Sequence, residues 1–412
     1  MASTADTLAS STTKTFLDGT HRVISPTETL AALEPLRVPL GITRLADVTG
    51  LDSIGLPVVQ AVRPNSRSIS VSQGKGIDVA SARASALMEA IEGYHAERVS
   101  LPLFIGSWAE LRHQHGIAAV ASIVRPVQSR FHADARLLWV EGTNLQNGEH
   151  LLVPFEAVHT DFTLPLPDGS GCFAMSSNGL AAGNHLQEAL SHALCEVVER
   201  DSFTLWMVGA DLESTRIDPG TVDSPLGIAL LERYERAGYD VGLWDATSDI
   251  GIPVIVAAIT HRGDNELSPT FGAHGYGCHP CREIALSRAL TEAAQSRLTH
   301  IAGSRDDKNK SAYAFGLTPP VRSSIAEMIR GPARHSFADV PDVRHNTIEA
   351  DVRWELERLA AAGFDEVICV DLTRPGLRIP VVRIIVPGLE IAALVGTLRY
   401  GARAQSAART RR

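Results

Sequence analysis

Ala86-Leu87-Met88-Glu89-Ala90-Ile91-Glu92 is one of three copies of a pattern, A-L-x-E-x-x-[E/Q], around which the chain is arranged. The others are Ala193-Leu194-Cys195-Glu196-Val197-Val198-Glu199 and Ala289-Leu290-Thr291-Glu292-Ala293-Ala294-Gln295, and each copy has a further Ala one helical turn upstream, at Ala82, Ala189 and Ala285. This spacing, with no interior Pro or Gly, predicts a helix for each copy. The two acidic positions share a helix face. Like charges on one face repel, so a single copy reads as a solvated surface. Three copies in matched Ala-Leu context call for a common positive partner. Hard oxygen ligands in pairs suit Mg²⁺, which takes a few carboxylates and otherwise binds substrate phosphates.

The bulk numbers narrow the classes. At 412 residues the chain is long enough for one elaborate domain or two intimately packed halves. Lys+Arg 38 against Asp+Glu 47 gives a net charge of −9, which argues against a nucleic-acid surface. No apolar run reaches the roughly 18 residues of a membrane span. Five cysteines without regular spacing predict a reducing, cytoplasmic setting. Cys278-His279-Pro280-Cys281 lacks the second half of a zinc set. The Ser/Thr/Ala-rich residues 1–18 read as a disordered leader and the Arg-rich residues 396–412 as a flexible tail.

Hairpins lie between the acidic helices. Asp47-Val48-Thr49 leads to Gly55-Leu56-Pro57-Val58, Asp245-Ala246-Thr247 to Gly251-Ile252-Pro253-Val254, and Asp371-Leu372-Thr373 to Ile379-Pro380-Val381. Leu137 to Pro154 is a fourth hairpin with Asn147-Gly148 at its tip. Helices stopped by Gly238 and Gly363 precede the later two Asp-x-Thr hairpins. The expected fold class is α+β, with mixed or antiparallel sheets, pseudo-symmetric halves, and helices lining a central cleft.

Two stretches read as functional loops. Ser72-Gln73-Gly74-Lys75-Gly76 precedes the first acidic helix, where Gly would admit a phosphate and Lys75 would neutralise it. Ser177 to Asn184 precedes the second, with Asn184 as its N-cap, and Gly275-Tyr276-Gly277 fills the matching slot before the third. Glu188 lies two turns before Glu196 on the same face. Arg200 could reach a phosphate or pair with a carboxylate, Arg297 falls on another face, and Arg305-Asp306-Asp307 reads as a helix cap. There is no G-x-S-x-G and no H-E-x-x-H. His95, His192 and His300 sit on or beside the acidic helices, each more simply a polar edge residue than a base. Positioning plus metal is the pattern of phosphoryl transfer.

Taken in order, these blocks resemble the YcaO superfamily from about Gly19 to Glu390. The carriers are Ser72-Gln73-Gly74-Lys75-Gly76 with Ser85 to Glu92, Asn178 to Asn184 with Glu196 to Asp201, and Arg288 to Arg297. Gly41 to Asp52 and Arg63-Pro64-Asn65-Ser66-Arg67 are similar more narrowly to the stand-alone, TfuA-associated (trifolitoxin-type) group. The resemblance implies a catalytic domain over 19–395 with a central ATP cleft. It also implies ATP-dependent O-phosphorylation of a peptide backbone amide. Glu89, Glu92, Glu196 and Glu199 would hold Mg²⁺. Ser72, Lys75, Asn184, Glu188, Arg200 and Gln295 would line the nucleotide. Glu89, Glu196 and Arg200 would be catalytic.

The product depends on what attacks the activated carbon. A sulfur donor gives a thioamide, a Cys, Ser or Thr side chain an azoline, an amine an amidine. Cyclodehydratase members commonly carry a P-x-P-x-P tail, where this chain has Ala408-Arg409-Thr410-Arg411-Arg412, and no extra N-terminal domain for leader-peptide capture is expected. Both departures favour a thioamide installed on a peptide or protein substrate with a TfuA-like partner, in a possible homodimer without nucleic acid or membrane. The alternatives are an azoline-forming cyclodehydratase and a non-catalytic ATP-binding scaffold.

Overall fold

The computed structural model describes residues 12–209, 211–263, 272–307, 319–391 and 397–410. Three antiparallel sheets carry the fold. The first contains β1 (Arg44–Asp47), β2 (Val58–Val62) and β3 (Val71–Lys75) in that order. The largest contains β4 (Leu103–Gly106), β5 (Leu137–Asn144), β6 (His150–Pro154) and β7 (Leu180–Ala182), joined far along the chain by β12 (Ile368–Asp371) and β13 (Val381–Ile385). Its order is β4-β5-β12-β13-β7, with β6 on β5. The remaining sheet is β8 (Arg216–Ile217), β9 (Tyr239–Asp245), β10 (Val254–His261) and β11 (Ala273–Cys278), in sequence order. The helices are α1 (Pro26–Leu33), α2 (Val79–Ala96), α3 (Trp108–Leu111), α4 (Leu186–Gly209), α5 (Pro225–Arg236), α6 (Arg282–Ala302), α7 (Pro319–Arg330), α8 (Ile348–Ala361) and α9 (Ala402–Thr410). Among the described residues no helix is long and apolar enough to cross a membrane.

The repetition read from the sequence has a structural unit: helix, hairpin, third strand, acidic helix. It occurs as α1-β1-β2-β3-α2, as α5-β9-β10-β11-α6, and as α8-β12-β13 completed by β7-α4 from earlier in the chain. One clasp closes all three hairpins. Asp47, Asp245 and Asp371 accept the backbone N–H of Thr49, Thr247 and Thr373 at 2.9–3.0 Å. Each Thr hydroxyl accepts the N–H that opens the next strand, Val58, Val254 or Val381, at 3.1–3.2 Å. This is the Asx-turn chemistry of Asp, applied identically three times.

The Ala ridges explain the pattern's other half. Ala82, Ala86, Ala189, Ala193, Ala285 and Ala289 are at most 0 % exposed because each acidic helix lies flat on its third strand. The strands answer with glycine. A Cβ on Gly74 would overlap the α2 backbone at Ala82 and Ala86, and one on Gly275 or Gly277 would overlap α6 at Ala285 to Ala293. The stretch Ser72 to Lys75, expected as a phosphate loop, is therefore strand β3, paired with β2 in the register Val58↔Lys75. Its glycine serves helix packing. Gly275 and Gly277 likewise belong to β11. Gly275→Ala is expected to cost about 3 kcal/mol by overpacking, whereas Gly50→Ala, with open space around it, should stay within about 0.5 kcal/mol; chemical denaturation compares them.

Within the described residues both ends depart from expectation; residues 1–11 of the expected leader, and residues 396, 411 and 412 of the expected tail, lie outside them. Residues 12–18 are tied down rather than loose: Thr13 bridges Thr347, Thr12 is buried, and the Lys14 ammonium lies 2.6 Å from Asp351. The tail is also anchored, because residues 402–410 form α9 on α4. Arg403 grips Asp201 through Nε and Nη2 at 3.1 and 2.9 Å and reaches Asp249 at 2.6 Å. The buried Glu390 carboxylate accepts the N–H groups of Gly401 and Ala404, capping α9. The Arg/Ala stretch that suggested disorder is a short helix held by one half-buried cation. Arg403→Ala should destabilise by about 3 kcal/mol, since it leaves a fully buried carboxylate unpaired. Asp201→Asn in that background should recover part of the loss in a denaturation titration.

Candidate functional site

The three acidic helices converge. One cleft of about 1200 Å³ is lined by Glu89 and Glu92 of α2, Glu196 and Glu199 of α4, and Glu292 and Gln295 of α6. These are the matched positions of the three copies. The third strands β3, β7 and β11 form the edges of their sheets and border the same cleft.

The carboxylates are crowded, and their protonation records it. Burial pushes Glu196 up to about 7 against the pull of Arg200 and Arg383, with repulsion from Glu199 and Glu292 adding to the rise. Burial pushes Glu92 well above the usual range against the N–H bond from Ala182, with Glu89 and Glu196 adding to the rise. Glu89 and Glu199 rise for the same leading reason. Glu292 goes the other way, because Lys75 and Arg200 overcome its burial. Lys75 pairs directly with Glu292. Arg200 lies 3.6 Å from Glu199 and 5.8 Å from the Tyr276 ring. A cluster that resists full ionisation alone, open on one side to a cleft, fits a divalent cation as its missing charge.

The remaining expected residues fall around this centre. Ser72 is buried in β3 at the cleft edge. Gln295 donates to the Gln73 carbonyl. Glu188 accepts the Asn184 N–H at 2.8 Å and the Val23 N–H at 2.6 Å, which ties the N-terminal segment to α4. Asn184 is not the α4 cap expected for it. Its side-chain amide donates to Glu188 at 3.1 Å, its oxygen accepts from Thr29, and His185 Nδ1 accepts the Gln187 N–H at the start of the helix. Gly303, in the left-handed conformation, ends α6, so Arg305 is not its cap; Arg305 pairs with Asp307 beside the cleft. Arg297 points elsewhere, to Asp52. His192 and His300 line the cleft, whereas His95 is buried against the Ile91 carbonyl.

Several cleft residues escaped the sequence reading. Glu292 is a further carboxylate, visible in the repeat but not singled out. Arg288 carried a signal too, one turn before Glu292 on the same face, and it donates to the Cys278 carbonyl at 2.8 Å. Arg22 carried none, because it is brought to the cleft by the Val23 N–H bond to distant Glu188 and the local Phe16–Arg22 bridge. All five cysteines are buried. Beside Cys281, the His21, His279 and Asp351 side chains cluster. The Lys14 ammonium already sits there, 3.1 Å from His21 Nδ1. Burial and that ammonium drive His21 down to about 3, so the cluster is locked by an internal cation.

Helices that bring paired carboxylates to the edges of antiparallel sheets define a class of α+β protein with one cation-seeking cleft. A family model described as YcaO cyclodehydratase, ATP- and Mg²⁺-binding, matches residues 73–390. The chain belongs to the YcaO family. An uncharacterized protein in the tfuA 3′ region of Rhizobium leguminosarum bv. trifolii is 36% identical over 390 residues, covering 93% of this chain and 92% of the relative. A second uncharacterized relative, from Methanothermobacter thermautotrophicus, is 35% identical over 402 residues, with 93% and 99% covered. Among solved structures, YcaO from Methanopyrus kandleri bound with AMPPCP and Mg²⁺ superposes with a TM-score of 0.72 at 25% identity, covering 92% of this chain and 94% of that one. A heterocyclase in complex with substrate and cofactor superposes at 0.74, with 23% identity and 93% of this chain covered. This chain spans about half, 54%, of that heterocyclase, and the likeness is one of fold. ATP and Mg²⁺ are thus the family's ligands, and the carboxylate cluster has the chemistry to accept them.

Proposed function

We propose that this protein activates a peptide backbone amide at the expense of ATP and installs a thioamide, working with a TfuA-like partner. The observation that carries the reading is the conjunction of the repeat-position carboxylates Glu89, Glu92, Glu196, Glu199 and Glu292 in one cleft with a relative of nearly equal length encoded beside tfuA. Glu89, Glu92, Glu196 and Glu199 are the residues to hold Mg²⁺, which would supply charge neutralisation for the phosphates. Ser72, Lys75, Asn184, Glu188, Arg200 and Gln295 are assigned to the nucleotide side.

An amide oxygen is a weak nucleophile and the phosphate chain is densely anionic. Catalysis here must therefore come from placement and from cations facing the developing charge. The amide oxygen attacks the γ-phosphorus and ADP leaves. A sulfur nucleophile adds to the imidate carbon, and phosphate departs with the original oxygen. Arg200 is held between Glu199 and Glu292, which raise its affinity for its proton although burial opposes them. It remains a cation throughout. Lys75, paired with Glu292, supplies a second fixed charge.

The second reading is azoline formation, favoured by the family description as a cyclodehydratase. Mass spectrometry of the product peptide separates the two. Exchange of oxygen for sulfur raises the mass, whereas cyclodehydration lowers it by one water. Nucleotide binding with no phosphate release, when peptide and partner are both present, would instead return the protein to the class of binding scaffolds.

A further inference from the structure

The cleft differs from end to end along α2. Its cleft-facing residues run from Ser81 to Gly93, roughly 18 Å at the rise of an α-helix, with Glu89 and Glu92 partway along. Ile77 lies against Gly19 at the Ser81 end, and from Gly19 the chain runs through Arg22 to Val23, whose N–H bonds Glu188; Arg22 and Arg288 turn their guanidinium groups to backbone carbonyls. At the Gly93 end the charges are spent on one another. Arg63 grips Glu97 at 2.5 and 2.6 Å, Arg98 joins it at 2.7 Å, and Arg67 pairs with Asp161 at 2.9 Å. Between these pairs lie apolar side chains, Ile69, Met88 and Phe162. Phe162 is 44% exposed, yet its backbone is fixed by the Arg67 carbonyl at 2.9 Å.

Gly93 is the unexplained residue. It sits inside α2, where glycine costs helix stability relative to alanine. Gly74 and Gly275 have a packing reason to be glycine; Gly93 has none. The nearest atoms to a Cβ there would be those of Arg63, Glu97 and Ser68 at 3.7–3.9 Å, ordinary contact distances. Gly93 forms part of the cleft wall, one residue from Glu92, and a side chain longer than alanine would have to leave the paired Arg63 and Glu97 and enter the cleft.

We infer that the Gly93 end receives the polypeptide: uncharged main chain crosses α2 at Gly93, and the residue beside the activated amide places an apolar side chain against Met88, Ile69 and Phe162. This rests on the amide-activation reading above. Anionic phosphates are drawn to the cationic end, while the end whose charges are already paired suits a neutral chain, and the reacting amide falls at the carboxylates between them.

The test uses the full chain saturated with Mg²⁺ and a non-hydrolysable ATP analogue, and blocked tripeptides acetyl-Gly-X-Gly-N-methylamide with X as Leu, Phe, Asp or Lys. Binding is followed by calorimetry or saturation-transfer NMR. The Leu and Phe peptides should bind about tenfold tighter than the Asp and Lys peptides, as expected for burying one apolar side chain. Gly93→Leu should weaken the Leu peptide by at least about tenfold. Gly93→Ala should raise the melting temperature and still weaken that peptide, a combination that a purely structural role would not give. Equal binding of all four peptides, or full affinity in Gly93→Leu with native circular dichroism, overturns the inference while leaving nucleotide binding and the function above untouched. If the wild-type chain does not bind the analogue with Mg²⁺, the amide-activation reading fails, and this inference with it.

Discussion

Glu196→Gln will leave the protein folded and reduce phosphate release, assayed with peptide and partner present, by roughly a hundredfold or more. In the isolated protein it will weaken Mg²⁺-dependent nucleotide binding. The same change should leave the melting temperature of the metal-free protein unaltered or higher. Glu196 shares the cleft with Glu89, Glu92, Glu199 and Glu292, and without a cation these carboxylates repel one another in a partly dry setting. Glutamine keeps the shape and removes one of the charges. A residue kept for stability would show the opposite: lower melting temperature and unchanged turnover. Glu89→Gln should behave alike, because Glu89 holds the equivalent place on α2. A variant that unfolds, or that turns over ATP at the native rate, would sink the metal-centre assignment.

The second large effect is on pH. Unfolded, Glu196 titrates near its ordinary 4.5; folded, at about 7. Between those values the native state holds more protons than the unfolded one, so this group's contribution to stability is full below about 4.5 and is lost as pH rises through about 7. Glu89, Glu92 and Glu199 are shifted in the same direction. His21, His192 and His279, depressed by burial, act oppositely below their ordinary 6.5. The informative quantity is therefore the melting temperature of wild type minus that of Glu196→Gln in EDTA, from about pH 5 to about pH 8. It should fall as pH rises. With Mg²⁺ and the ATP analogue the trend should reverse, since only ionised carboxylates bind the metal. A difference curve that is flat in both conditions would place Glu196 outside the coupled cluster.

Much of the site was legible because its signals are local and repeated. The acidic pairs, their Ala ridges and the Asp-x-Thr hairpins are each set within a few residues, and the structure keeps them as read. The misreadings share one cause. Gly74, Gly275 and Gly277 satisfy helices packed across a strand, which looks the same in sequence as a backbone opened for a phosphate. Asn184 has the residue type of a cap but answers to Glu188 and Thr29. Arg403 was lost in a stretch of compositional bias because its partner Asp201 lies about half the chain away. Arg22 reaches the cleft through its neighbour's bond to Glu188, some 165 residues away, and no pattern within its own segment points to it.

The third repeat unit is split along the chain. Its β7 and α4 are made early, but the strand that β7 pairs with, β13, comes about two hundred residues later in the register Val382↔Ala181. A chain emerging from the ribosome thus completes the walls carrying Glu89 and Glu292 well before the one carrying Glu196 has its sheet. The cleft is complete only when the last hairpin threads between β5 and β7, so under the proposed function an interrupted translation product should not consume ATP. Fragments ending before residue 381 should fail to bind the analogue even where their first two walls are folded.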